Sequence, residues 1–149
     1  MKKFWGFYAV CVPLCFICGR YCCKKKRDRY YQWYKTLYQW IMIRQDKIKV
    51  AEYFKKNNYE QVAIYGMGEL GRLLVRELND SDIEIPFTID QNAGNIAISG
   101  IKVISLKDIN EKADVIVVTV IDKFDSIKAD IKKYVDVPVV SLDDVLFSL

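Results

Sequence analysis

Gln61-Val-Ala-Ile-Tyr65-Gly66-Met67-Gly68-Glu69-Leu70-Gly71-Arg-Leu-Leu-Val-Arg-Glu-Leu78 runs from a strand-like apolar stretch through three glycines into helical spacing. Each glycine has a physical reason at its position. Gly66 allows the tight turn, Gly68 leaves backbone bare for the approach of a pyrophosphate, and Gly71 lets the helix pack closely on the strand. The helix beyond it would present free amides and the positive end of its dipole to an anion. A glycine pattern alone carries little, so its weight depends on the flanking chain.

Downstream, the pattern of a parallel α/β sheet continues. Glu84–Asp90 forms the expected second strand, with Pro86 at an irregular position, and Ile101–Ile104 a short third strand after a loop over 92–100. Val115-Ile-Val-Val-Thr-Val120 is the uninterrupted apolar run that a central parallel strand needs. Phe124, Ile127 and Ile131 recur at helical spacing over Phe124–Tyr134, Val137–Val140 gives a fifth strand, and Asp143–Phe147 a last helical turn. Strands alternating with helices at these lengths predict five parallel strands in the order 3-2-1-4-5. Asp90 ends the second strand nineteen residues after Gly71, near the spacing at which a carboxylate meets ribose hydroxyls. It would favour NAD or a plain nucleoside over NADP, whose extra phosphate it repels. Thr119 falls at the ligand end of the fourth strand, where its hydroxyl either contacts ligand or caps the next turn.

Upstream the chain changes character. Residues 1–57 hold 14 Lys/Arg against Asp28, Asp46 and Glu52, a local +11, whereas residues 58–149 hold 9 against 16 acids, a local −7. An acidic body argues against nucleic acid as the ligand, and a basic head suits an anionic membrane surface. Phe4–Cys18 is uncharged and mostly apolar, flanked by Lys2-Lys3 and by Arg20 and Lys24-Lys-Lys-Arg27. Extended to Cys23 it approaches the roughly 20 residues that cross a bilayer, though it contains Pro13. A span, a shallow or surface-lying anchor and a core helix covered by a partner protein all fit it. No small-residue cleavage site follows, which disfavours a signal peptide. Each membrane reading places the body on the cytoplasmic face.

All five cysteines lie between Cys11 and Cys23, so they frame no disulfide scaffold for the body. Without histidine or a distant second ligand pair they do not space as a zinc site either, and no metal is expected. Cys22 and Cys23 beside the basic run are candidate palmitoylation sites. From Tyr30 to Ile41 aromatic and apolar residues step by three and four, predicting an amphipathic helix to about Arg44. Its stripe would lie in lipid headgroups or dock on the body or a second subunit. Ile48–Lys56 predicts a short helix with Val50 or Ala51, Tyr53 and Phe54 inward. The expected organisation is therefore an anchor candidate over 1–27, an aromatic and linker segment over 28–57, and the α/β domain over 58–149.

Ile64-Tyr-Gly-Met-Gly-Glu-Leu-Gly-Arg72, Ile89-Asp-Gln-Asn92, Gly100-Ile-Lys-Val103, Asp114-Val-Ile-Val-Val-Thr119 and Pro138-Val-Val-Ser141 together resemble the small Rossmann domains of bacterial surface-polysaccharide biosynthesis. These include the nucleotide-binding domain of membrane-bound nucleoside-diphosphate-sugar epimerases and dehydratases, and modules appended to sugar transferases. The similarity covers about residues 58–149. It implies that Gly66, Gly68 and Gly71 hold a pyrophosphate, that Glu69 and Leu70 offer amides, and that Asp90 binds a ribose. With neighbours Met67, Gln91 and Asn92, and Thr119 across the crevice, these form the expected site for NAD or a nucleotide sugar.

Enzymes of that family continue into a catalytic domain with a Tyr-x-x-x-Lys pair and a sugar pocket, whereas this sequence stops after the fifth strand. Tyr31-x-x-x-Lys35 has the spacing but lies upstream of the glycine motif, in a region dense in both residues. The body holds no histidine or cysteine, and its acids scatter as on solvated helix faces, so no general acid or base can be named. The expectation is an accessory or regulatory nucleotide-binding module at a membrane, whose partners include a glycan-assembly enzyme or a second copy. The alternatives are an epimerase or oxidoreductase component completed by another subunit, and an interaction scaffold that binds nothing.

Overall fold

The computed structural model describes residues 5–95 and 100–149, with side chains described at 24, 26–94 and 100–149. The chain divides into two units, Met1–Lys35 and Thr36–Leu149. Helix α1 runs over Trp5–Gln45. The side chains of the expected anchor up to Cys23, and residues 96–99 of the expected loop, lie outside the described residues. Among the described residues no helix is long and apolar enough to cross a membrane.

Within the second unit, the elements after α1 are α2 (Ala51–Lys56), β1 (Val62–Tyr65), α3 (Glu69–Asn79), β2 (Thr88–Ile89), β3 (Val103–Ile104), β4 (Val115–Val118), α4 (Phe124–Ile131), β5 (Val139–Ser141) and α5 (Leu142–Phe147). All strand pairs are parallel, in the order β3-β2-β1-β4-β5 that the sequence predicts. Central β1 and β4 are buried at every residue, because helices cover both faces and neither face needs polar side chains. Ala63, Tyr65, Phe87, Ile89, Ile116 and Val118 form one core layer with Ile127 and Ile131 of α4. The alternate residues Val62, Ile64, Val115 and Val117, which point to the opposite face of the sheet, are buried as well, as are Leu70, Leu74 and Leu78 of α3.

Strand β2 is much shorter than Glu84–Asp90. Glu84 makes only an isolated bridge to Gln61, and regular pairing resumes at Thr88, after Pro86, which has no amide to give a ladder. The compact unit starts well before residue 58. Trp40, Ile43, Val50, Ala51 and Phe54 are all buried in it, so the end of α1 and the inner face of α2 belong to its core. Thr36, fully buried, donates its hydroxyl to Asp143, Gln39 Nε2 donates to Leu146 O at 3.3 Å, and Arg44 pairs with Glu77 at 2.9 Å. On α3 the buried face is Leu70, Leu74, Val75 and Leu78, whereas Leu73 is 39% exposed.

Candidate functional site

The glycine turn lies where the C-terminal end of β1 meets α3. Gly66 has φ +95°, a left-handed conformation that favours glycine, and its amide donates to Ile89 O at 2.8 Å. A Cβ there would stand 2.6 Å from Val120 Cγ2. At Gly71 a Cβ would fall 2.0 Å from the carbonyl oxygen of Gly66, so the first turn of α3 lies directly against the strand exit. Gly68 is different. It is exposed, caps α3 with φ −71° and ψ −161°, and a Cβ built on it meets nothing within 4 Å. The first α3 bond that closes on this cap is Arg72 N to Gly68 O at 3.1 Å. The amides of Gly68, Glu69, Leu70 and Gly71 precede it and have no intrahelical acceptor.

Asp90, at the tip of β2, is partly buried against the turn. Its Oδ2 accepts the Met67 amide at 2.7 Å and its Oδ1 the Asn92 amide at 2.8 Å. The carboxylate thus ties the β2 tip to the turn, and each oxygen keeps a further lone pair for a hydroxyl donor. The Met67 amide is committed to this bond, and the Met67 side chain is buried. Leu70 also buries its side chain and leaves its amide to the helix end, while Glu69 is exposed at the first helical position. Gln91 and Asn92 are exposed beyond Asp90.

Thr119 is buried beneath the turn. Its hydroxyl lies 2.7 Å from Gly66 O and 3.1 Å from Tyr65 O, and its amide donates to Tyr65 O at 3.0 Å. The side chain braces the carbonyls of the β1 exit from below. Gly66–Gly71, Asp90 and Thr119 are therefore brought together, with Asp90 beside the turn and Thr119 under it.

Two neighbours escaped the sequence reading. Arg72 Nε donates to Met67 O at 3.3 Å, which holds an exposed guanidinium against the turn. Its position directly after the third glycine was the available signal. Tyr65, the last residue of β1, stands near Asp90 and Gln91. Burial pushes its phenol above the ordinary range and the charges of Asp90 and Asp130 add to that, while the neighbouring Gln91 amide acts in the opposite direction. No period or spacing marks such a contact, because it depends on where the β2 loop folds back.

The model of the C2185-like, N-terminal family matches residues 58–139, more than half of the chain, and the chain belongs to that family. No curated protein and no solved structure matches it.

Proposed function

We propose that this C2185-like chain binds a nucleotide, NAD or a nucleotide sugar, at the Gly66–Gly71 turn and acts as an accessory or regulatory module rather than completing a reaction alone. One observation carries the reading: the backbone is bare and open at Gly68, at the head of α3, where a diphosphate would meet unpaired amides. Arg72 adds a cation beside that position, and Asp90 stands one strand away with lone pairs left for ribose hydroxyls. The groups around the turn are amides, one guanidinium and one carboxylate, which suit holding an anion. The role in bacterial surface-polysaccharide assembly rests on the resemblance of the glycine motif and its companion segments.

A second reading draws on a specific feature. Both oxygens of Asp90 and the hydroxyl of Thr119 already serve backbone partners, as they would in a turn that is purely structural within an interaction scaffold. Thermal unfolding of the full chain with NAD, a UDP-sugar or CoA separates the two. A binder at a hundredfold excess over its Kd gains about 2.7 kcal/mol. Gly68→Ala is the decisive variant. Its φ and ψ suit an L-residue and the added methyl meets no protein atom, so unliganded stability should stay level or rise by about 0.4–1 kcal/mol. The same methyl would stand in the path of the phosphate and remove the ligand shift. If none of the three ligands shifts the wild-type protein, the binding reading fails and the scaffold stands.

A further inference from the structure

The basic part of α1 carries an aromatic surface that the nucleotide reading does not use. Lys24, Lys26, Arg27 and Arg29 are exposed, and the tyrosines that follow are unusually open, Tyr30 at 67%, Tyr31 at 62% and Tyr34 at 62%. On a helix, Lys26 and Arg27 stand four and three residues before Tyr30, and Tyr34 four after it, so these four share a face. Lys24, Arg27 and Tyr31 form the adjoining row by the same spacing. Asp28, the one acid in this stretch, lies 3.7 Å from Arg27 Nε and offsets one of the four cations, which leaves the surface positive.

A run of cations on a helix is ordinarily a solvated surface. Here it is interleaved with large rings that a solvated surface has no reason to display. Tyrosine has an apolar body and a polar tip, and lysine and arginine have apolar stems beneath charged heads, so both side-chain types suit a boundary that is wet on one side and dry on the other. We propose that the Lys24–Tyr34 face of α1 lies on an anionic lipid surface, with the cations at the headgroup phosphates and the three rings at the level of the glycerol backbone. Charge complementarity selects this occupant: the local excess is +11 up to residue 57 and −7 beyond it, so attraction to an anionic plane is concentrated in the head of the chain. A helix lying in the interface needs no bilayer-crossing length.

Co-sedimentation of the full chain with phosphatidylcholine vesicles, and with vesicles that also contain phosphatidylglycerol, tests the proposal. Preference for the anionic vesicles, weakened by salt, is expected. The triple variant Lys24→Gln, Lys26→Gln, Arg27→Gln, checked for unchanged helicity by circular dichroism, should partition on the order of a hundredfold more weakly, from about a fivefold loss per cation. Tyr30→Ser with Tyr31→Ser keeps the charge and should lose the part of binding that survives high salt. Equal binding of wild type to neutral and anionic vesicles, a triple variant that binds like wild type, or capture by single- or double-stranded nucleic acid without capture by anionic vesicles would each overturn it.

Discussion

Thr119 shows how much a single side chain contributes to the candidate site without touching its open surface. Its hydroxyl lies 2.7 Å from the carbonyl of Gly66, the oxygen against which the backbone of Gly71 also packs. Two close approaches therefore converge on one carbonyl, and the donor there fixes the angle at which β1 gives way to α3. Thr119→Val keeps the shape and removes the donor. A buried carbonyl deprived of its donor typically costs about 1–3 kcal/mol, and that loss is expected in denaturant unfolding, while Thr119→Ser should retain most of the stability. In sequence, Thr119 was visible only as a polar residue near the end of an apolar run, which left both ligand contact and turn capping open. The burial of its oxygen beneath Gly66 depends on the register of β4 against β1, in which Tyr65 pairs with Val118, and no local pattern encodes that. Gly66 and Gly71 were legible because only glycine satisfies the constraint at each position.

Element boundaries were clearest where one physical demand governed a whole segment. The continuous apolar runs at 62–65 and 115–118 could only be strands covered on both faces, and the order of the sheet followed from their alternation with helices. Strand β2 contracted because Pro86 interrupts it, and α3 turned Leu73 outward because a helix of 3.6 residues per turn buries only one stripe. The helical spacing of Tyr30 to Ile41 identified a helix but not the part of its circumference that docks. Thr36, Trp40 and Ile43 are the buried positions of its last turns, with Trp40 at 7% exposure, whereas Ile41 is 56% exposed beside Leu73 in an open groove of about 510 Å³. Trp40→Ala should accordingly lower stability by about 3–5 kcal/mol, the usual cost of truncating a buried aromatic. Ile41→Ala, one position along, should cost about 1 kcal/mol or less. Chemical denaturation of the pair reads the docked face of α1 directly, and equal losses at both positions would contradict the packing.

At the scale of the whole molecule, the family match begins at residue 58 and the sequence pattern places the α/β domain there too, but the compact unit begins at Thr36. The difference has a physical origin. A sheet whose strands are two to four residues long buries little on its own, and here the end of α1 and α2 add Trp40, Ile43, Val50 and Phe54 to the core. Burying four such side chains contributes roughly 1.5–3 kcal/mol each, a sum comparable with the about 5–15 kcal/mol by which a whole domain is stable. Composition pointed the other way, because the switch from a basic to an acidic chain near residue 57 resembles a domain boundary although it crosses continuous packing. A chain of residues 36–149 should therefore unfold cooperatively with a midpoint close to that of the full protein. A chain of residues 58–149 should lack a cooperative transition, because removing the upstream helices uncovers Leu146, whose carbonyl Gln39 caps, and the Asp143 carboxylate that Thr36 engages. Circular dichroism melting of both fragments distinguishes the cases; a cooperative transition in residues 58–149 would show that the upstream helices decorate the domain instead of completing it.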